Sequence, residues 1–478
     1  MTNILKASEK LLREAAGLKT KEEKPIYTAN FPDLVDLVLN DDEVKFLTTD
    51  GGVYDERIID GKLYIPPSIN DLDYLLPKLS NILKEAQKHT HPAISDDIDS
   101  VQGCTSCIEL YEDLLKYHKQ FSELPHERYY DLLVLWDFHT YLIENFIFSP
   151  IIYFYASKER GKTRTSKAMI HIARRGIMTE TLREANLIRW SRDHRATLLF
   201  DVKDFPKKVE RSQSEDLIYG RAEQGVIASR VLFPEKGAFK DTVRFEIFGP
   251  TVVTSNRMID DIGESRAIII EMRPTKEIYD IEPEAVLGLP YRERLTAMRL
   301  SHIYKPIIKY RRAETGRLED LLMGFYSMVR TLFPDKEKSL TILKNMIKNQ
   351  KKESASDSFE ARIVQKIIDC ETRVEIGTLV LTYEELCSEY NEGKKENLIL
   401  EERSMARITK QIGFQTRRNA SGDKRGVIYD TDLIERLKVM YGLEKVHPQT
   451  SSELSKTSKE VLQTISKEDK WTNPDPRW

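Results

Sequence analysis

The sequence predicts an α/β protein whose central part is built on a mostly parallel sheet. From about residue 148 to 274, strand-like runs alternate with helix-like segments, which read "PIIYFYA", "TSKAMIHIARRGI", "ATLLFD", "DLIYGRAEQGVI", "FGPTVVTSN" and "RAIIIEM". This alternation is typical of parallel sheets covered by helices. Helix-rich stretches flank the central part on both sides. A hairpin pattern, "GFQTRRNASGDKRGVIYD", follows near the end of the chain.

The N-terminal region is predicted to be mixed α/β over residues 1–146. Residues 26–67 carry apolar alternations on both sides of the dipeptide Asp60-Gly61, which favours a tight turn between strands. Residues 70–147 are predicted to be helical and end in the apolar run "YYDLLVLWDFHTYLIENFIF". The next region, residues 147–350, contains the central alternation and a helical stretch from residue 282.

The C-terminal region is predicted to be a separate domain over residues 360–444, with three helices followed by a hairpin. Residues 445–478 are polar and poor in core-forming side chains, so we expect a disordered tail or a loosely docked helix.

Composition sets broad limits on function. The chain has 478 residues, 40% of them apolar, and a formal net charge of −3, so any affinity for nucleic acid must come from local patches. No run of about 18 apolar residues predicts a membrane span. The first residues, "MTNILKASEKLLREAAG", form an amphipathic charged segment unlike a signal peptide, and four cysteines do not indicate a disulfide framework. We therefore expect a cytoplasmic protein without membrane contact.

The stretch "YASKERGKT" at 155–163 is typical of a phosphate-binding loop that has lost its first glycine. Gly161, Lys162 and Thr163 supply its second half, in which the lysine reaches the phosphates and the hydroxyl reaches Mg²⁺. Ala156 replaces the first glycine, and its methyl group is tolerable if φ stays negative there. An apolar strand before the loop and a helix after it provide the expected context, so we predict that these four residues bind ATP.

Asp201 ends the apolar run "ATLLFD", which places a carboxylate at the carboxyl edge of a buried strand, where open α/β sheets bind ligands. We expect Asp201 and Thr163 to hold Mg²⁺. Val202 stands where most such ATPases have a glutamate that orients the attacking water. Three interpretations remain open: Asp204 or a more distant acid polarises the water, a neighbouring subunit supplies the acid, or hydrolysis is slow.

Two further polar residues flank apolar strands. Asn256 ends "FGPTVVTSN" and can position the attacking water between the loop and the metal-binding strand, although an asparagine in a turn after a strand is common. Arg266 precedes "AIIIEM" and, in a ring, can reach a neighbour's γ-phosphate as an arginine finger. By itself a surface salt bridge would explain Arg266 equally well.

Together these segments resemble the AAA+ ATPase core of replication proteins from archaeal and bacterial mobile elements and viruses. The layout is similar to the helicase cores of MCM and superfamily-three replicative helicases, over about residues 26–340 and most strongly at 147–274. The resemblance implies a P-loop core with a helical lid, ATP and Mg²⁺ as cofactors, and a homo-oligomeric, hexameric ring acting on DNA. The missing glutamate after Asp201 leaves the catalytic base open.

The resemblance also gives a role to the predicted hairpin at residues 230–248, which contains "PEKGAFKD". In the related helicases a hairpin at this place points into the ring channel, and a lysine at its tip touches the DNA backbone. Lys236 or Lys240 would make that contact with single-stranded DNA. A solvated surface hairpin is the alternative.

The helix–helix–helix–hairpin pattern of the C-terminal region is that of a winged helix. Basic residues concentrate at its hairpin, and the candidates for duplex DNA contact are Arg417, Arg418, Lys424 and Arg425. Winged helices also bind proteins, so a protein partner is the alternative.

The four cysteines give a weaker signal. His89, His91, Cys104 and Cys107 are residue types that suit Zn²⁺, but their spacing matches no common zinc finger and the segment between them is acidic. We therefore do not predict a zinc site from the sequence. Cys370 and Cys387 are expected to be small buried apolar residues.

The function that these patterns favour is a ring-forming, ATP-dependent DNA translocase or replicative helicase of a mobile genetic element. The first alternative is a DNA-binding initiator or transposition regulator that uses ATP to change its assembly state without unwinding. The second is a nucleotide-binding scaffold without turnover.

Overall fold

The computed structural model describes residues 25–89, 103–237, 240–275, 277–356, 359–369, 380–391, 399–418 and 422–443. The chain divides into two compact units, residues 1–345 and 346–478. Residues 25–146 therefore belong to the same unit as the central sheet. The finer division at residue 146 stays a prediction, and the predicted tail lies outside the described residues.

The first unit begins with short strands. Their bounds are β1 (Ile26–Tyr27), β2 (Leu34–Asn40), β3 (Glu43–Thr48), β4 (Val53–Tyr54), β5 (Arg57–Ile59) and β6 (Lys62–Ile65). They form two three-stranded sheets, in the orders β2-β3-β4 and β1-β6-β5. The predicted turn between β5 and β6 is present, and both of its residues, Asp60 and Gly61, have positive φ (49° and 77°). That conformation is the reason why an aspartate-glycine pair favours a tight hairpin.

Three helices precede the central sheet. Their bounds are α1 (Leu79–Ala86), α2 (Thr105–Lys119) and α3 (Arg128–Tyr141). Nearly every residue of α3 is buried, as expected of a helix that is apolar on all sides. The predicted helical character of residues 70–147 is confirmed for these described parts.

The central alternation folds as predicted into strands and helices. Its elements are β7 (Ile151–Tyr155), α4 (Lys162–Ile172), β8 (Gly176–Thr179), α5 (Glu184–His194), β9 (Thr197–Asp201), α6 (Phe205–Ser212), α7 (Glu215–Gly220), β10 (Ile227–Val231), β11 (Thr242–Glu246), β12 (Thr251–Ser255), α8 (Asp261–Glu264) and β13 (Ala267–Glu271). Five of these strands form one parallel sheet in the order β13-β7-β12-β9-β8. Its inner strands are apolar and buried, which explains their continuous apolar runs.

The helices α9 (Ala285–His302), α10 (Arg317–Leu332) and α11 (Glu337–Ser356) follow the sheet. Helix α9 packs against α1 and α4. The helical character of this stretch is confirmed, and its role as a lid stays a prediction.

The second unit contains three helices before a hairpin, as predicted. Its further elements are α12 (Phe359–Asp369), β14 (Val380–Thr382), α13 (Tyr383–Asn391), α14 (Glu402–Ile412), β15 (Thr416–Arg418), β16 (Arg425–Ile428) and α15 (Thr431–Tyr441). The sequence did not predict β14, which pairs with β16 and widens the hairpin to three strands. Its three residues are too few to show a period.

Candidate nucleotide site at the carboxyl edge of the sheet

The loop between β7 and α4 has the backbone of a tight phosphate-type turn. Gly161 is the residue before α4 and has a φ of 76°, a conformation that glycine adopts without strain. Glu159 also has a positive φ, of 62°. Ala156 is not among the residues with positive φ, and its methyl group is buried. The condition under which alanine can replace the first glycine is therefore met.

Lys162 is buried at the start of α4, and its ammonium group is held by the loop. It donates hydrogen bonds to the carbonyl oxygens of Ala156 (2.9 Å) and Ser157 (2.6 Å). Burial lowers the pKa of Lys162, and the nearby Asp201 carboxylate opposes that shift. The ammonium is thus bound to neutral acceptors that an anionic ligand can replace.

The strand order explains how distant residues meet at this edge. Strand β12 lies between β7, which leads into the loop, and β9, which ends in Asp201. Parallel strands end at the same edge, so Asn256, directly after β12, lies between the loop and Asp201. Its backbone N–H donates to the carbonyl oxygen of Lys203 (3.0 Å), and the hydroxyl of Thr254 donates to the Asp201 carboxylate.

A cavity of about 820 Å³ opens at this edge, within the size range of small-molecule sites. It brings together five of the predicted site residues: Lys162, Thr163, Asp201, Asp204 and Asn256. Val202, in the position of the missing glutamate, also lines the cavity, but its side chain is only 5% exposed. An apolar side chain in that place cannot activate water.

The cavity wall also contains charged residues that sequence reasoning missed. Most are basic and lie on or before α6, namely Lys203, Lys207, Lys208 and Arg211, and one is an acid, Glu180. Six basic and four acidic side chains line the cavity in total, an excess of two positive charges that suits a polyphosphate. The run "KKVER" after Asp201 was the available signal for the basic wall.

Arg266 does not line this cavity. It directly precedes β13, and the beginnings of parallel strands lie at the edge of the sheet opposite to their ends. Its guanidinium donates to the carbonyl oxygen of Ile262 (3.1 Å). A role for Arg266 in the same subunit's cavity is therefore not supported, and its role as a finger toward a neighbour stays a prediction.

The predicted hairpin is present as the antiparallel pair β10 and β11. Lys236 and Lys240 lie exposed in the connection between the two strands. The ammonium group of Lys236 lies 3.7 Å from the centre of the Phe233 ring, a cation–π contact that leaves the charge accessible. Several apolar residues of the hairpin are also exposed, namely Ile227, Val231, Leu232 and Phe233.

The four basic candidates of the second unit lie on or beside its hairpin. Arg417 and Arg418 belong to β15 and Arg425 to β16, and all three are exposed. Lys424 forms an ion pair with Glu384 on α13. Within the described residues, Arg417, Arg418 and Arg425 therefore form no ion pair with a carboxylate.

Cys104 and Cys107 are bonded to each other, which was not predicted from the sequence. Cys104 and Cys107 are fully buried at the start of α2 and are joined as a disulfide. The Nδ1 atom of His89 lies 4.0 Å and 3.7 Å from their sulfur atoms. Burial lowers the pKa of His89 to about 4, so its imidazole is neutral at pH 7. Cys387 is buried, as expected, whereas His91 and Cys370 lie outside the described residues.

Comparison with known proteins gives only weak similarities. No model of a protein family matches the chain, and no curated protein matches it. Among solved structures, the apo C-terminal region of NrS-1 is 12% identical, with 88% of this chain and 89% of that chain covered and a TM-score of 0.33. The SCCmec type IV Cch active helicase is 12% identical, with 91% and 84% covered and a TM-score of 0.33.

The JCV helicase structure is 13% identical, with 49% of this chain and 61% of that chain covered and a TM-score of 0.24. Similarities at this level carry no argument about fold or activity, so function has to be inferred from the residues themselves. Among the described residues, none of the helices is both long and apolar enough to span a membrane.

Proposed function

We propose that the chain is an ATPase with an AAA+-type P-loop core that binds ATP and Mg²⁺ in the cavity at the carboxyl edge of the sheet. The observation that carries the proposal is the meeting of the loop, Asp201 and Asn256 at the ends of three adjacent strands. Ligands of open α/β sheets bind at this edge. The excess of basic side chains around the cavity fits a triphosphate better than a neutral ligand.

The residues present suit each part of the ligand. Backbone N–H groups at the start of α4 and the Lys162 ammonium would hold the phosphates, since a helix start favours anions. Thr163 and Asp201 offer the oxygen atoms that Mg²⁺ prefers. The bound ion would neutralise charge on the phosphates. Asn256 would orient water, and Asp204, which lines the same cavity, is one of the candidate bases that the sequence leaves open.

The proposed biological activity is DNA translocation or unwinding by a homo-oligomeric, hexameric ring of a mobile-element replication protein. Two exposed basic features support a DNA partner: the hairpin with Lys236 and Lys240, and the arginines around β15 and β16 in the second unit. The hairpin would contact single-stranded DNA, and the second unit, as a winged helix, would contact duplex DNA. Arg266 would act on a neighbour's nucleotide.

The second candidate function is a DNA-binding switch that uses ATP to change its assembly state without unwinding. The observation that favours it is the buried Val202 in place of an activating glutamate. A strand-displacement assay separates the two functions. ATP hydrolysis on DNA without strand separation in either polarity would replace the helicase proposal with the switch.

The test of the ATP site is the substitution Lys162→Ala. A hydrogen bond to a charged group contributes about 1.5–3 kcal/mol, so we expect ATP to bind about 10- to 150-fold more weakly. Equilibrium titration with a fluorescent ATP analogue measures this. Lys167→Ala is the matched control, because Lys167 lies on the same helix but does not line the cavity. Equal affinity of Lys162→Ala and the parent would place the nucleotide elsewhere.

A further inference from the structure

Two features of the first unit have no assigned chemical role: a cluster of potential metal ligands and the cavity residue Glu180. The first is the cluster of His89, Cys104 and Cys107, where three potential metal ligands lie within 4.8 Å of one another. We propose that this cluster binds a zinc ion once a thiol reductant has supplied two electrons and two protons, which convert the disulfide into two thiols.

The distances from the histidine nitrogen to the two sulfur atoms fit one shared ion, and the two sulfurs, once reduced, would move apart to about 3.8 Å to bind it. With zinc–sulfur bonds of about 2.3 Å and zinc–nitrogen bonds of about 2.0–2.1 Å, tetrahedral ligands place nitrogen and sulfur about 3.6 Å apart. The observed distances from His89 Nδ1 are 3.7 Å to Cys107 Sγ and 4.0 Å to Cys104 Sγ.

The backbone holds the ligands in place from three directions. The N–H of Cys104 donates to the carbonyl oxygen of Leu332 at the end of α10 (3.1 Å), and Cys107 lies in the first turn of α2. The N–H of His89 donates to the carbonyl oxygen of Ala86, which ends α1 (3.2 Å). An ion would therefore connect the ends of α1 and α2.

The chemistry of the site is that of a soft metal. Two thiols lose their protons on binding, and thiolate and imidazole ligands favour zinc over Mg²⁺ or Ca²⁺. The hydroxyl of Ser106 now lies 2.7 Å from His89 Nδ1, and the ion would replace that hydrogen bond. Three protein ligands leave one tetrahedral position for a further donor.

The experiment is metal analysis of the full chain purified under reducing conditions. We expect about one zinc per chain by elemental mass spectrometry, and a sulfur-to-cobalt charge-transfer band after exchange with Co²⁺. Cys107→Ser should lose both signals, whereas Cys387→Ser, which changes a buried cysteine of the second unit, should keep them. Reduced parent protein that holds no zinc and gives no cobalt band would overturn the proposal. This parent measurement does not depend on whether any variant folds.

The second feature is Glu180, a carboxylate that can take the role of the glutamate missing at position 202. Glu180 directly follows β8, and the register pairs Thr179 with Phe200 in the neighbouring strand. Glu180 therefore stands beside Asp201 at the same edge, and both line the cavity. We propose that Glu180 is the acid that activates the attacking water, which rests on the proposed ATPase function.

The contacts of Glu180 leave it available for this role. Its side chain is exposed and forms no ion pair or hydrogen bond within the part of the chain that the structure describes. In the proposed step its carboxylate accepts a proton from water while the water oxygen attacks the γ-phosphorus. The bond from that phosphorus to the ADP oxygen breaks, and ADP and phosphate leave. The neighbouring strand thus supplies the carboxylate that position 202 lacks.

Asp204, the acid that the sequence favours, is placed differently. It lies three residues beyond Asp201, immediately before α6, and its neighbours Lys203 and Phe205 are hydrogen-bonded to Asn256 and Ser255. The reason for preferring Glu180 as the base is its register, because the pairing of Thr179 with Phe200 places the next residue, Glu180, directly beside Asp201.

The test compares Glu180→Gln with Asp204→Asn, and uses Glu210→Gln on the exposed side of α6 as the control. We expect Glu180→Gln to bind ATP like the parent and to hydrolyse it about 100- to 10,000-fold more slowly, the range for general base catalysis. Turnover of Glu180→Gln within about twofold of the parent would overturn the proposal. A parent protein that does not bind ATP would instead overturn the proposed function.

Discussion

Two groups of charged residues lie near the opposite ends of α4. They differ in whether their side chains form ion pairs. At the start of α4, the basic side chains of Lys203, Lys207, Lys208 and Arg211 line an open cavity and form no ion pair with described residues. Beyond the end of α4, Arg174 and Arg175 are buried and form ion pairs. The paired group holds the fold together, and the unpaired group is free for a ligand.

The paired group connects the N-terminal strands to the central sheet. The Nε atom of Arg175 lies 2.6 Å from Asp36 on β2, and Arg174 lies 3.2 Å from Glu144. Arg299 on α9 lies 2.7 Å from the same Glu144. Burial alone would raise the pKa values of Asp36 and Glu144, but the guanidinium groups hold both below their ordinary values. The helix that begins with Lys162 is therefore fixed at its other end.

The largest effect should follow from breaking the paired group. Asp36→Ala leaves Arg175 buried without its carboxylate, and removal of one partner of a buried pair costs about 3–5 kcal/mol. Urea unfolding measures this loss. Glu85→Ala is the control, because the pair between Glu85 and Lys88 lies on the surface and contributes about 0–1 kcal/mol. A loss for Asp36→Ala no larger than that of the control would show that the network is not structural.

The same network predicts sensitivity to acid. Asp36 and Glu144 have lowered pKa values in the folded chain, so their stabilisation is present above the unfolded values of about 3.9 and 4.3. It is lost as the pH falls through the lower, folded values, by up to about 1.4 kcal/mol per pH unit for each proton taken up. Urea unfolding between pH 3 and pH 7 should show this decline. An equally steep decline in Asp36→Asn would mean that Asp36 is not one of its sources.

Residues at the end of a recognisable strand could be predicted from the sequence, whereas residues whose role depends on contacts between distant parts of the chain could not. The loop, Asp201 and Asn256 could be found because each lies at the carboxyl end of an apolar strand, and parallel strands end together. Glu180 could not be found, because its place depends on β8 lying next to β9, and strand order does not follow from periodicity. Asp36 was missed for a related reason: its partner Arg175 is 139 residues away, and a charge inside "LVDLVLN" gives no sign of pairing.

The exposed hairpin extends the comparison to Lys236, which contacts an aromatic ring and, within the described residues, forms no ion pair with an acid. Lys236→Ala should keep ATP hydrolysis and ring formation but lose DNA-stimulated turnover and strand displacement. The salt slope of single-stranded DNA binding should fall by about 0.7, the value for one phosphate contact. ATPase assays with and without DNA, at several salt concentrations, measure both effects. Unwinding by Lys236→Ala at the parent's rate would exclude the hairpin as the translocating element.

The smallest expected effect is the difference in duplex DNA binding between a paired and an unpaired basic side chain of the second unit. Arg417 is exposed and forms no ion pair within the described residues, whereas Lys424 is paired with Glu384, which raises its pKa. A lysine that must release a carboxylate before it reaches a phosphate contributes less to binding. Arg417→Ala should therefore lower the salt slope of duplex binding by about 0.9, and Lys424→Ala by less. In a Glu384→Ala background the carboxylate is gone, so Lys424→Ala should approach the effect of Arg417→Ala. Duplex binding across a salt series measures these slopes. An equal effect of Lys424→Ala with and without Glu384 would contradict this account.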